Sequence, residues 1–275
     1  MIECYTAVYA VSTLHEKVTR MIEKFKATLP AKLSRKPRTV YVYVPDEAED
    51  DPEARYPVLY MFDGHNVFFD EDATYGKSWG MKDFMDETHL PMIIVAVDCN
   101  HSRTHGRLKE YSPFDFEFGD VGPIRARGKT TMNWFTRTLK PLIDEKYPTL
   151  PEREHTFIAG SSMGGLMSLY AILAHNDVYS RACCLSPSLW VAPEKVHTLI
   201  EKADLAPDTV IYMDYGSREM ANHEGMRPIF AAAAAQLMEK GAWVTSRIVP
   251  NGDHCEACWE EQLPFIFDTL LYNRE

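Results

Sequence analysis

Two adjacent serines stand in a glycine-rich stretch between two apolar runs, FIAGSSMGGLMSLY, residues 157–170. The run before the serines is typical of a buried strand, and the run after them of a helix. A serine in the sharp turn between a strand and a helix is a candidate nucleophile, because the turn exposes its hydroxyl and the helix N-terminus favours developing negative charge. The alternative is a glycine-rich turn without catalysis.

The glycine positions favour Ser162 over Ser161 as the nucleophile. The strained turn leaves no room for side chains two residues before and two residues after its central serine. For Ser162 these positions are Gly160 and Gly164, which gives the pattern G-x-S-x-G. A turn centred on Ser161 would place an alanine and a methionine there instead.

A serine hydroxyl needs a general base at neutral pH, and in this class of site the base is a histidine late in the chain. Four histidines follow the serine: His175, His197, His223 and His254. We favour His254, because it lies between the last predicted strand and the last predicted helix. Such a loop lies at the carboxyl edge of the sheet, where α/β proteins place their sites. His175 ends a predicted helix and His197 lies within another. His223 follows the strand after which the acid is expected.

The carboxylate that orients this histidine is expected after the preceding strand, in YMDYGSREMANHEG. That segment offers Asp214, Glu219 and Glu224. Glu219 is the predicted acid, because it lies beyond Gly216 in the loop and precedes the histidine by 254 − 219 = 35 residues, enough for one helix and one strand. Asp214 is the rival, although it still lies within the predicted strand.

Acyl chemistry also needs two N–H donors for the tetrahedral oxyanion. One is expected from Met163, the residue after the nucleophile, and the other from the loop that follows an early central strand. YMFDGHNVFF contains that loop. Gly64 permits a tight backbone there, and the N–H of His65 or Asn66 is the second candidate donor. A plain turn at the strand end is the alternative.

Alternating strands and helices must position these residues. Short apolar strands are predicted at 39–44, 58–63, 92–98, 156–160, 181–186, 209–216 and 244–249. Helices are predicted at 79–88, 132–146, 163–175, 193–202, 226–240 and 257–272. This order predicts an α/β fold with a mostly parallel sheet, covered by helices on both faces. Residues 20–28 are expected to pair antiparallel with the first of these strands. Residues 100–131 lack a regular pattern and predict a long functional loop, whose trimming should alter substrate preference more than it alters folding.

Composition limits the classes of partner. The 275 residues suit one domain over 1–275, and the net charge of −11 argues against nucleic acid or an anionic membrane. Neither a signal peptide nor an apolar run of membrane-spanning length is evident, so a cytoplasmic protein is expected. The six cysteines are expected to be reduced, and the CEAC pair, Cys255 and Cys258, is interpreted as two thiols at a helix start rather than a redox or metal motif. No metal or organic cofactor is expected, and homo-oligomer formation is left open.

Six blocks of the sequence together resemble the putative esterase (esterase D-like) family of α/β-hydrolases, which includes carbohydrate esterase family one. They are RYPVLYMFDGHNVF, RLKEYSP, LKPLIDEKYPTLPEREHTFIAGSSMGGLMSLYAI, LSPSLW, DYGSRE and GDHCEACWEEQLP, and they extend from about Arg38 to the C-terminus. The resemblance implies the α/β-hydrolase fold and the triad Ser162, His254 and Glu219, with a glutamate where many members carry aspartate. It also implies an oxyanion hole at Met163 and the loop after Gly64, although DGHN replaces the HG pair of other members. The LSPSLW block implies Trp190 as a wall of the acyl pocket; a core tryptophan is the alternative.

The predicted activity is that of a serine carboxylic-ester hydrolase acting through an acyl-enzyme on small acyl esters. The resemblance alone suggests acylated carbohydrates or hydroxycinnamoyl esters as substrates. Two alternatives stay open: an acyltransferase of the same fold, and a non-catalytic binding protein of the same fold. Covalent labelling by an organophosphate would separate the last from both enzymes.

Overall fold

The computed structural model describes residues 22–222 and 225–272, and its centre is an eight-stranded sheet. The chain forms β1 (Glu23–Ala27), β2 (Arg38–Tyr43), β3 (Val58–Phe62), β4 (Ile93–Val97), β7 (Thr156–Ser161), β8 (Arg181–Leu185), β9 (Val210–Gly216) and β10 (Trp243–Val249) in this sheet, and a separate hairpin of β5 (Phe116–Phe118) and β6 (Gly122–Ile124). The strand order is β1-β2-β4-β3-β7-β8-β9-β10. Strand β2 is antiparallel to both of its neighbours, and the pairs from β4 to β10 are parallel.

Helices connect the strands and cover both faces of the sheet. They are α1 (Glu47–Asp50), α2 (Met81–Thr88), α3 (Gly106–Glu110), α4 (Gly128–Trp134), α5 (Lys140–Lys146), α6 (Met163–Ala174), α7 (Pro193–Lys202), α8 (Ser217–Asn222), α9 (Met226–Glu239), α10 (Glu256–Glu260) and α11 (Leu263–Leu271). Helices α4 to α7 and α9 contribute to one apolar core, and α2, α10 and α11 to the core on the opposite face. Strands β3 and β4 are buried along their whole length, as expected for parallel strands between two helix layers.

The expected fold class is therefore confirmed: an α/β fold of the α/β-hydrolase type with antiparallel strands at its N-terminal edge. The expected N-terminal hairpin is present as β1 and β2, although Arg20 and Met21 lie outside the described residues. No helix in the described ranges is long and apolar enough to cross a membrane.

The helix predicted over 257–272 is two helices, α10 and α11. Pro264 stands in the first turn of α11, where its missing N–H costs nothing, whereas inside one long helix it would remove a hydrogen bond. The helix predicted over 132–146 is continuous but contains a π-helical turn at Phe135–Leu139.

The long loop expected over 100–131 is wrong as a description. This segment contains α3, the β5–β6 hairpin and the start of α4. It also places Glu110 against Arg38, with N–O distances of 2.8 and 3.1 Å, and buries both side chains. Tyr111, also fully buried, joins the core. Because trimming the segment would remove these core contacts, we expect it to reduce stability as well as to alter substrate preference.

Candidate active site

Ser162 lies in the sharp turn between β7 and α6, with φ 59° and ψ −122°. Such a backbone conformation costs a residue other than glycine about 1–3 kcal/mol, so the surrounding structure must enforce it. The N–H of Ser162 donates to the Leu185 carbonyl at 2.9 Å, and its carbonyl accepts from the Leu166 N–H at 3.0 Å. The strand on one side and the helix on the other thus hold the serine in place.

The glycines around Ser162 meet the steric need expected from the sequence. A Cβ at Gly160 would lie 2.8 Å from the backbone carbon of Gly164. A Cβ at Gly164 would lie 3.1 Å from the Cβ of Phe62. Ser161, by contrast, is the last residue of β7 and is buried. The structure therefore places the strained turn at Ser162.

His254 lies in the loop between β10 and α10, and its Nδ1 is 2.5 Å from Oε2 of Glu219. Glu219 lies in the first turn of α8, with a side chain only 1% exposed, whereas the imidazole is 40% exposed. The Nδ1 contact leaves Nε2 of the imidazole as the nitrogen available for proton transfer. A buried carboxylate that fixes an accessible imidazole is the arrangement that a serine nucleophile requires.

A second layer of hydrogen bonds holds the Glu219 carboxylate. Its Oε1 accepts from the Ser186 hydroxyl at 2.6 Å and from the Gly216 N–H at 2.8 Å. The indole N–H of Trp259 donates to the Ser186 Oγ at 3.1 Å, and the Trp259 ring packs edge-on against the imidazole of His254, with centroids 5.1 Å apart. Sequence reasoning missed Ser186 and Trp259, although Ser186 belongs to the LSPSLW block.

The rival acid Asp214 is placed away from His254. Its two carboxylate oxygens accept from the Tyr212 hydroxyl at 2.8 Å and from the Ser186 N–H at 3.2 Å. Burial raises the pKa of Asp214 to about 7. Of the other candidates, His223 and Glu224 lie outside the described residues.

Ser162 and His254 line the same cavity, which has a volume of about 520 Å³. Its walls combine apolar surface with polar side chains, which include His65, Asn66, Asn100, His101, Ser102, His105, Arg107 and Glu256. Trp190 is not part of this lining. Its ring stacks on Phe118 of the β5–β6 hairpin, with centroids 5.7 Å apart, and is 36% exposed. Trp190 therefore packs against the hairpin and is not in contact with the cavity that Ser162 and His254 share.

The turn after β3 carries the candidate oxyanion donors. Residues Gly64–Asn66 form a 3₁₀ turn, and a Cβ at Gly64 would lie 2.6 Å from the Ala96 backbone, so only glycine fits. The Asn66 N–H donates to the Asp63 carbonyl at 2.8 Å within the turn. This removes Asn66 as an oxyanion donor and leaves the N–H of His65 as the candidate beside that of Met163, the first residue of α6.

Arg107 and Tyr111 fix the beginning of this turn. Asp63 has a left-handed conformation, with φ 56°. Its carboxylate binds the Arg107 guanidinium through two contacts of 2.7 and 2.8 Å, and its N–H donates to the Tyr111 hydroxyl at 3.1 Å. Such a two-point pair is directional as well as strong. Arg107 begins the RLKEYSP block, but the sequence alone assigned it no role.

Two groups of residues in the described part of the chain carry side chains that can bind a metal or take part in redox chemistry. Cys255 and Cys258 are free thiols, and Cys255 immediately precedes α10, which agrees with the expected helix start. A different group lies at the cavity: one possible ligand atom from each of His65, Asp98, Cys99 and His101 falls within 4.8 Å of all the others. This group is the candidate cation site among the described residues.

The family described as Putative esterase matches residues 32–270. The chain belongs to this family. Its match covers most of the chain, including every residue of the candidate site, and the protein is a serine esterase.

Two curated relatives and one solved structure are similar to this esterase. The "Uncharacterized protein YbbA" of Bacillus subtilis (strain 168) is 25% identical over 191 residues, which are 66% of this chain and 69% of the relative. The "Ferri-bacillibactin esterase BesA" of the same organism is 23% identical over 57% of this chain, and the match spans only 56% of BesA. An IroE-like serine hydrolase from Shewanella oneidensis has the same fold, with a TM-score of 0.69 and 17% identity over 90% of this chain and 79% of that chain.

Proposed function

We propose that the esterase cleaves small carboxylic esters through an acyl-enzyme formed on Ser162. His254 removes the hydroxyl proton of Ser162 through Nε2 as the oxygen attacks the ester carbonyl. The imidazolium then protonates the leaving alcohol, and a water activated by the same imidazole cleaves the acyl-enzyme. Glu219 keeps the proton of the imidazole on Nδ1 and stabilises the positive charge without exchanging protons with the substrate.

The tetrahedral intermediate carries a negative oxygen that needs donors already in position. We assign the N–H groups of Met163 and His65 to this role. The N-terminus of α6 adds a favourable dipole at the same place. The two-point ion pair between Asp63 and Arg107 would hold the backbone N–H of His65 in its orientation, so that little reorganisation is needed during the reaction.

One observation carries this proposal: the strained serine of the β7–α6 turn and the imidazole held by a buried carboxylate open onto one cavity. Strain at a nucleophile and a histidine–carboxylate pair are each found without catalysis. Their convergence on a shared cavity, in a chain of the esterase family, has no simpler structural purpose.

The cavity favours a polar substrate. Its imidazole, amide and guanidinium groups would lose hydrogen bonds to water if a long alkyl chain covered them. We therefore propose short or hydroxyl-rich esters, a class that includes acylated sugars, hydroxycinnamoyl esters and siderophore esters of the kind named for BesA. An ester panel should show falling kcat/KM as the acyl chain lengthens beyond about four carbons.

The test uses pre-steady-state hydrolysis of a nitrophenyl ester by two serine variants. Ser162→Ala should lose the burst of nitrophenol and the steady-state rate, and it should not react with a fluorophosphonate. Ser161→Ala is the matched control, one residue away, and should retain labelling and most of the turnover. If Ser161→Ala is the inactive variant, the turn has been centred on the wrong serine. Labelling of neither serine in the wild type would favour a non-catalytic protein.

A further inference from the structure

Four side chains with metal-binding groups converge beside the proposed nucleophile. They come from the turn after β3 and from the segment after β4, which are neighbours because β3 and β4 pair in parallel. His65 Nδ1 lies 2.9 Å and His101 Nε2 lies 2.7 Å from the same oxygen of Asp98. Cys99 supplies a buried thiol, and one possible ligand atom of each of the four residues lies within 4.8 Å of the others.

The side chain of His65 is buried, and its Nδ1 is directed towards Asp98. Its Nε2 is 2.9 Å from the Thr74 hydroxyl, a contact that fixes the ring. Its Nδ1 lies 2.9 Å from the Asp98 carboxylate, but the angles of this contact are not those of a good hydrogen bond. A poorly aligned hydrogen bond satisfies a buried ring nitrogen only in part, whereas a bound cation would accept its lone pair directly.

We propose that His65, Asp98, Cys99 and His101 bind one divalent transition-metal ion of the zinc class. Two imidazoles, a carboxylate and a thiolate are ligands that Zn²⁺ accepts in a tetrahedral site. Metal–ligand bonds of about 2.0–2.3 Å separate tetrahedral ligand atoms by roughly 3.3–3.8 Å. The two short contacts to Asp98 would open by about half an ångström. Because all four ligand atoms lie within 4.8 Å of one another, no separation would need to close by more than about one ångström.

The ligands differ in mobility, which suits such an adjustment. Asp98 and Cys99 directly follow β4 and are fixed by hydrogen bonds: the Asp98 N–H donates to the Thr39 carbonyl at 3.0 Å, and the Cys99 N–H donates to the Asp98 carboxylate at 2.7 Å. The side chain of His101 is 55% exposed and can close the site from the solvent side. Four protein ligands leave the ion no open position, so the site does not replace the serine in catalysis. The bound ion would instead hold the imidazole ring of His65 in place. The backbone N–H of the same residue is the proposed oxyanion donor.

Cobalt titration of the whole chain tests the site. Protein treated with a chelator and kept reduced should bind one equivalent of Co²⁺, with a near-ultraviolet thiolate-to-cobalt band and the intense visible bands of a four-coordinate ion. Zn²⁺ should displace the cobalt and abolish both signals. Binding should strengthen from pH 6 to pH 8, because the thiol and imidazoles must lose protons to coordinate.

Two pairs of matched variants locate the ion. Cys99→Ser should abolish the near-ultraviolet band, whereas Cys255→Ser, a thiol outside the group, should keep it. The side chain of His101 is exposed, so His101→Ala should fold normally, and it should weaken cobalt binding at least tenfold. His105 lines the same cavity, and asparagine can keep its left-handed backbone, so His105→Asn should bind within twofold of wild type.

The assignment is overturned if no stoichiometric cobalt spectrum appears, or if the near-ultraviolet band survives Cys99→Ser. Equal weakening in the two histidine variants would likewise show that the ion binds elsewhere. Ser162→Ala should bind cobalt as the wild type does. The metal site and the proposed ester hydrolysis can therefore fail separately.

Discussion

Replacing Glu219 by glutamine tests the proposed triad most sharply, because one backbone group dictates how the new amide must lie. Oε1 of Glu219 accepts from the N–H of Gly216 at 2.8 Å, and a peptide N–H can only donate. The amide oxygen of the glutamine must therefore take this position. Its NH₂ group then occupies the position of Oε2 and faces Nδ1 of His254, which is 2.5 Å away in the native protein.

An NH₂ group at this position selects the wrong tautomer of His254. Nδ1 must accept the new hydrogen bond, so the ring proton moves to Nε2, the nitrogen that should receive the serine proton. The same defect in a Ser-His-Asp triad lowers kcat about 10⁴-fold. At about 1.36 kcal/mol for each factor of ten, this corresponds to roughly 5.5 kcal/mol of lost transition-state stabilisation. KM should change little, because Glu219 is buried and does not touch the substrate.

The assay compares kcat and KM of Glu219→Gln with those of Asp214→Asn, after thermal melts show both variants folded. The amide introduced by Asp214→Asn could accept from the Ser186 N–H and donate to the Tyr212 hydroxyl, so this variant should retain most activity. The triad assignment is refuted if Asp214→Asn is folded and nearly inactive while Glu219→Gln is near normal. If both variants stay active, Ser162 and His254 work as a dyad.

Three further predictions follow from individual contacts. Trp259→Phe should keep the ring beside His254 but lose the N–H donor to Ser186, lowering kcat about tenfold at unchanged KM in the same assay. Gly160→Ala should lower the free energy of unfolding by about 1–3 kcal/mol in urea titrations, because the new methyl group meets backbone; unchanged stability would contradict this. The pKa of Asp214 is raised to about 7 by burial, so its contribution to stability is full below pH ~3.9, declines above that pH and is lost above about 7. Asp214→Asn should therefore be more stable relative to wild type at pH 8 than at pH 5. An equal difference in unfolding free energy at both pH values would show that the pKa of Asp214 is not raised in the folded protein.

The sequence alone was enough to locate the Ser162 turn and the loop that carries His254. Both are local features. The glycines two residues before and two residues after the serine reflect a steric requirement within five residues, and the position of a loop after a strand follows from hydrophobic patterning. The parallel sheet was predictable for the same reason, because its strands are apolar on both faces. The error over 100–131 has the opposite cause. Short strands and single helical turns that are stabilised by distant partners, such as Arg38 for Glu110, leave no periodic pattern.

Only the tertiary structure decided which side chains meet. Asp214 and Glu219 are both acidic and lie five residues apart, yet strand β9 directs Asp214 towards Tyr212, while the first turn of α8 brings Glu219 to His254. Trp190 stacks on the β5–β6 hairpin, and the pairing of β3 with β4 brings together the residues around Asp98. Such contacts depend on strand register and on the direction of each side chain. Neither is encoded in the spacing of residues along the chain, because both are set by the packing of the whole core.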